Sequence, residues 1–87
     1  MPYRLTTTRK AEKDLRSLPD PAYDRVDARI LALAGNPHPP DAVKVRASRG
    51  LFRVRVGDYR ILFVVDDDTQ EVTIARVGHR REVYRDL

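Results

Sequence analysis

Leu51-Phe52-Arg53-Val54-Arg55-Val56-Gly57-Asp58-Tyr59-Arg60-Ile61-Leu62-Phe63-Val64-Val65 decides how this 87-residue chain folds. From Phe52 to Val56 apolar residues alternate with arginines, the period of a strand with one buried face. Gly57-Asp58 then reads as a two-residue hairpin turn, with glycine at the first central position where a type II′ turn needs a positive φ. Folding the stretch about that turn sets Val56 opposite Tyr59, Val54 opposite Ile61 and Phe52 opposite Phe63, all six on one face. The other face receives Arg55 beside Arg60 and Arg53 beside Leu62.

Downstream, Asp66 to Gln70 makes a second turn and Glu71 to Val77 a third strand. Gly78 can break that strand, and the tail over 79–87 is compatible with a short terminal helix. Upstream, Ala11, Leu15 and Leu18 recur at helical spacing behind Thr8, a suitable N-cap. Pro19-Asp20-Pro21 ends this helix and starts the next, with Asp20 as cap and Pro21 at the first helical position. Tyr23, Val26, Ile30 and Leu33 form the buried stripe of the second helix, which stops at Gly35-Asn36-Pro37. Asn36 to Asp41, with three prolines, is a loop, and Tyr3 to Leu5 is a short first strand. The expected fold class is α+β: an N-terminal strand, then an αα-hairpin packed on a small antiparallel sheet, in the order β-α-α-β-β-β. One domain over 1–87 is the default at this length.

Hydrophobic residues at 41% and charged residues at 34% suit a globular domain and argue against disorder. Without cysteine there is neither a disulfide nor a thiolate metal site. The longest apolar run, Ile61 to Val65, is far too short to span a bilayer, and no signal-like segment opens the chain. A cytoplasmic protein without membrane partners is the expectation. No phosphate-cradling glycine loop, metal-ligand cluster or nucleophile elbow is visible, so no cofactor or metal is expected. Asp66-Asp67-Asp68 is read as a polar turn, His38 as a solvated loop residue, and Tyr23 and Tyr59 as core.

The charge is concentrated. Residues 1–42 carry seven Lys/Arg against six Asp/Glu, whereas residues 44–60 carry six, Lys44, Arg46, Arg49, Arg53, Arg55 and Arg60, against Asp58 alone. Such a segment suits a polyanion, most commonly nucleic acid. Arg55 directly opposite Arg60 is unfavourable in a sheet, and a phosphate held between the guanidiniums would remove the penalty. The end of the chain adds His79, Arg80, Arg81 and Tyr84 near Arg60 if the third strand lies beside the second.

Arg53-x-Arg55-Val56-Gly57-Asp58-Tyr59-Arg60-Ile61, then Val77-Gly78-His79-Arg80 and Val83-Tyr84, resembles the signature of the RelE toxin family. Lys13-Asp14-Leu15-x-x-Leu18-Pro19 resembles that family's first helix, and Asn36-Pro37 the end of its second. The resemblance implies a toxin of a type II toxin–antitoxin pair, with a cognate antitoxin as partner. It implies metal-independent cleavage of mRNA in the ribosomal A site, with contacts to 16S rRNA, by attack of a 2′-OH on the adjacent phosphate. By motif position Arg53 and Arg55 fall where relatives carry basic residues, often lysines. Arg60 and Arg80 match phosphate-binding arginines, and Tyr84 matches a tyrosine that orients the RNA. Lys44, Arg46, Arg49 and Arg81 are the accessory RNA-binding candidates. Arginine keeps its proton in proteins, so it cannot serve as a general base. Asp58 belongs to the turn and Tyr84 suits orientation, which leaves His79 as the candidate for proton transfer. Two alternatives stay open: a ParE-like toxin of the same fold that poisons gyrase, and a weakly active relative that binds RNA or antitoxin.

Overall fold

A computed structural model describes residues 2–46 and 48–85. In chain order it contains β1 (Arg4–Thr7), α1 (Arg9–Arg16), α2 (Asp20–Gly35), β2 (Val43–Lys44), β3 (Leu51–Val56), β4 (Tyr59–Asp66) and β5 (Glu71–His79). The five strands form one sheet in the order β1-β5-β4-β3-β2, with the helical hairpin on one face. No helix among the described residues is long and apolar enough to cross a membrane.

The β3–β4 hairpin has the register that alternation predicts, with Phe52↔Phe63, Arg53↔Leu62, Val54↔Ile61, Arg55↔Arg60 and Val56↔Tyr59. Gly57 takes φ 57°, while Asp58 stays at negative φ, so only the first central residue is left-handed, as a type II′ turn requires. Val54, Ile61 and Phe63 are buried with Val26, Ile30 and Leu33 of α2, and Phe52, Val56 and Tyr59 pack around them. Thr8 caps α1 by accepting from the Ala11 N–H at 3.1 Å. Its hydroxyl in turn donates to the Ala75 carbonyl at 2.8 Å, which ties the start of α1 to β5.

The structure corrects several expectations. The sheet is mixed, because β1 pairs with β5 in parallel, Leu5 beside Val72 and Thr7 beside Ile74. Parallel neighbours need a long crossover, and the helical hairpin with β2 to β4 supplies it. Strand β2 is too short to show periodicity. Gly78 does not break β5, which continues through it to His79. Residues 80–85 form turns rather than a helix, and residues 86–87 lie outside the described residues. Pro19, not Asp20, occupies the N-cap of α2, and Asp20 lies in its first turn. Tyr23 is 40% exposed, since the buried stripe of α2 begins at Val26.

A bulge in β5 adjusts the phase of that strand. Leu62 pairs with Arg76 but Phe63 pairs with Ile74, so Ala75 has no partner across the ladder. Ile74 and Val77, three residues apart, therefore both reach the helix-side core.

At the far end of the sheet Asp67 gathers two partners. Tyr3 donates its hydroxyl to Asp67 Oδ1 at 2.6 Å, and His38 Nε2 lies 2.8 Å from the same oxygen. His38, expected to be solvated, is therefore engaged by Asp67 though half exposed. These hydrogen bonds, Tyr3 first, hold the Asp67 carboxyl below its ordinary range. The bond to Asp67 likewise raises the Tyr3 phenol. Asp66 accepts from the backbone N–H groups of Asp68 and Thr69, so its carboxylate serves the turn.

Candidate phosphate-binding face

The register that buries Val54 and Ile61 against the helices turns Arg53, Arg55 and Arg60 to the opposite side of the sheet. Arg60 stands between Arg55 on β3 and Gly78 on β5, so the row Arg55–Arg60–Gly78 crosses the open face. The Arg60 guanidinium is oriented by the hairpin itself, with Nη1 donating to the Gly57 and Tyr59 carbonyls at 3.3 and 3.1 Å. Carbonyls orient a guanidinium without neutralising it. Among the described residues none of Arg53, Arg55, Arg60 and Arg80 has a carboxylate within ion-pair distance, whereas Arg4, Arg29 and Arg76 each do.

Beneath the arginines lies a small second core that alternation alone does not disclose. Leu62 is fully buried with Val45, Leu51 and Val83, and Ala75 packs against them. Val83 reaches this floor because the tail folds back over Gly78, where a Cβ would lie 3.6 Å from that of Val83. An alanine would just fit there, and a longer side chain would push Val83 away.

The remaining candidates divide. Arg80 is exposed, and its backbone N–H donates to the Asp58 carbonyl at 2.8 Å, which fixes the start of the tail against the hairpin turn that carries Arg60. Tyr84, 37% exposed, follows the buried Val83, and Arg81 is exposed on the same turn. Arg46 and Arg49 are exposed on the connection between β2 and β3, beside Val45 and Leu51 of the small core. Lys44 pairs with Phe52 on the short edge strand, while its neighbour Val43 pairs with Arg53; it is exposed and lines one pocket with Arg46 and Arg49.

His79 lies on the helix side of β5. It pairs with Tyr59, whose ring packs on the helix-side core, and the two rings meet edge to face at 6.2 Å. It lines a cleft of about 260 Å³ with Asp14, Leu18, Pro19, Gly78 and Glu82, and none of Arg53, Arg55, Arg60 and Arg80 lines it. Strand parity is the reason: with β5 unbroken at Gly78, Gly78 shares the face of Arg60 and His79 must take the other.

Two polar residues escaped the reading of the sequence as a site. Asp14 of α1 accepts from Arg76 Nε at 2.9 Å and from the Val77 N–H at 3.0 Å. Arg76 Nη1 donates onward to the Arg85 carbonyl at 3.3 Å. Nothing in the local pattern of α1 distinguishes Asp14 from a solvated helix charge; its partner is 62 residues away. No three His, Cys, Asp or Glu side chains among the described residues gather as metal ligands would.

A family profile described as the ParE toxin of the type II toxin–antitoxin system parDE matches residues 5–84. Toxin RelG of Mycobacterium tuberculosis is 34% identical, the alignment covering 98% of this chain and 99% of that protein. The RelBE2 toxin–antitoxin complex of the same organism superposes with a TM-score of 0.80 at 32% identity, over 92% of this chain and 100% of that one. The archaeal RelE–RelB complex of Pyrococcus horikoshii gives a TM-score of 0.79 at 29% identity, over 94% and 99%. With matches that run nearly its whole length, this chain belongs to the RelE/ParE family of type II toxin–antitoxin toxins.

Proposed function

We propose that this toxin is a ribosome-dependent endoribonuclease acting in the cytoplasm, and that the open face of the sheet holds the scissile phosphate of mRNA. The observation that carries this is Arg55 directly opposite Arg60 on a face where, among the described residues, neither meets a carboxylate. Like charges across a ladder cost roughly 0.2–1 kcal/mol, and a bound phosphate would turn that cost into bidentate, charge-assisted hydrogen bonds. In the reaction the 2′-oxygen forms a bond to phosphorus and the bond from phosphorus to the 5′-oxygen breaks. The products are a 2′,3′-cyclic phosphate and a 5′-OH; the attacking hydroxyl loses a proton and the leaving oxygen gains one.

Arg60 and Arg80 take the phosphate oxygens, where charge grows in the transition state, and Arg53 and Arg55 extend the cationic surface. Tyr84 stacks on a base, and Lys44, Arg46, Arg49 and Arg81 contact the RNA backbone. His79 faces away from this row, and arginine keeps its proton. Charge stabilisation and alignment of the 2′-OH therefore supply most of the rate, and water relays the protons. The relatives solved as toxin–antitoxin complexes support a cognate antitoxin here, one whose acidic and apolar segment covers the arginine row and the rim of the small core.

Induction of the gene without its antitoxin, followed by mapping of mRNA ends, tests the reading. New ends in register with the reading frame, within translated regions, are expected. The family description that names ParE favours a second reading, a toxin that acts on gyrase. Intact mRNA with accumulated gyrase-linked DNA breaks would select it.

A further inference from the structure

The tail that carries Arg80, Arg81 and Tyr84 has no regular secondary structure of its own, yet it must hold those side chains in place. It is fastened at three points. The Arg80 N–H donates to the Asp58 carbonyl at 2.8 Å, Val83 is buried on Leu62, and Arg76 Nη1 donates to the Arg85 carbonyl at 3.3 Å. The third point is held in turn by α1. Asp14 on α1 grips Arg76 through Oδ2 at 2.9 Å and Oδ1 at 3.4 Å, and the same Oδ2 accepts from the Val77 N–H. Both side chains are 18% exposed, so the pair is partly desolvated and its geometry constrained.

Arg76 lies at the β5 bulge, opposite Leu62 of the small core, and β1 pairs with β5 only as far as Ile74. From this stretch of β5 the guanidinium reaches both Asp14 of α1 and the Arg85 carbonyl of the tail.

We infer that Asp14 and Arg76 are positioning residues for the cleavage site: they touch neither RNA nor the reacting phosphate, but set where the turn over 80–85 presents Arg80 and Tyr84. This assignment rests on the mRNA-cleavage reading. Removal of the Arg76 side chain frees the end of the turn while the hairpin register and the two cores remain. The chemical step suffers more than ribosome binding, since the cationic residues of the open face are untouched.

The test compares Arg76→Met and Asp14→Asn with Arg4→Met, which breaks the exposed Arg4–Glu71 pair at the other end of the sheet. Thermal melts, amide exchange of the Val83 and Arg85 N–H groups, and single-turnover cleavage on programmed ribosomes are measured for each. Arg76→Met is expected to remain folded, to exchange the two amides at least about tenfold faster, and to lower the saturating cleavage rate at least about tenfold. The ribosome concentration for half-saturation stays within about twofold. Asp14→Asn moves the same way by less, because an amide still accepts from Val77 N–H, and Arg4→Met leaves all three readouts unchanged. Unchanged exchange, or faster exchange with wild-type cleavage, overturns the assignment. Loss of the fold in both Asp14 and Arg76 variants also overturns it, because the pair would then be a staple of the whole molecule. Wild-type protein that leaves ribosome-bound mRNA intact would refute the cleavage reading instead, and the exchange arm would still decide whether Arg76 holds the turn.

Discussion

On the helix side of the sheet ten described residues are buried together. On the opposite side four are buried, and Arg53, Arg55 and Arg60 stand around them with no carboxylate in ion-pair reach among the described residues. The same strands build both faces, so the difference lies in alternate residues rather than in backbone. An unmatched cation is tolerable only where water reaches it. A fold selected for stability alone would have placed an acid across from Arg55, because an opposite-charge pair stabilises a ladder and a like-charge pair weakens it. The helix face holds the molecule together; the open face keeps its charge available.

Substitutions that treat the two faces unequally can break this division. The largest effect falls on the helix side. Phe63, fully buried in the centre of β4, is expected to cost about 3–5 kcal/mol when truncated to alanine, seen as loss of the cooperative melt or a large fall in its midpoint. Val83→Ala, in the small core, should cost clearly less and act on the tail before the fold. Equal losses would mean that the two cores form one cooperative unit and that the division is false.

Next come the arginines. Arg60→Ala and Arg80→Ala should each lower mRNA cleavage by about 10²–10³, the usual consequence of deleting one preorganised donor to a developing anion, with little change in melting. Arg55→Ala is expected to stabilise the fold by up to about 1 kcal/mol through relief of its contact with Arg60, while it weakens RNA binding. Wild-type cleavage by either of the first two variants would move the site off the open face.

A smaller effect separates the far end of the sheet from both. The Asp67 carboxyl is depressed below the ordinary value of 3.8 by the hydrogen bonds from Tyr3 and His38. A carboxyl depressed in the folded state adds stability that is fully present above its unfolded value and lost as pH falls through the folded one. Tyr3→Phe should therefore raise the Asp67 value measured by NMR titration, and the stability gap between wild type and variant should close below about pH 4. A gap that persists unchanged to pH 2 would show that the bond is not what links stability to pH there.

How much of this was legible in the sequence depends on distance along the chain. The β3–β4 hairpin is local: Gly57 fixes the turn, and the turn fixes Arg55 opposite Arg60. Thr8 and the stripe of Val26, Ile30 and Leu33 are local too. The parallel pairing of β1 with β5, the burial of Leu62 under Val83 and the grip of Asp14 on Arg76 all join residues far apart in sequence, and no periodicity records them. The face taken by His79 depended on one decision. A glycine in a strand can end it or pass unnoticed, and at Gly78 the ladder with Arg60 carries the chain through.

The smallest expected effect concerns that histidine. An imidazole at the edge of an arginine cluster would be the natural proton carrier near neutral pH, and the residue type alone recommends it. The geometry points elsewhere: His79 stacks edge to face on Tyr59 at 6.2 Å, in a cleft closed by the end of α1, while Arg60 extends from the other side of the sheet. A general base must come within hydrogen-bond reach of the 2′-OH, directly or through one water. His79→Gln keeps a polar side chain of similar length and removes the titration. Its single-turnover cleavage on programmed ribosomes from pH 5 to 9 should follow the wild-type profile within about threefold at every pH, because a lost general base typically costs about 10²–10⁴ and a spectator far less. A wild-type inflection that vanishes in His79→Gln would place the imidazole at the phosphate after all, and would require the tail to swing His79 across the sheet edge when RNA binds.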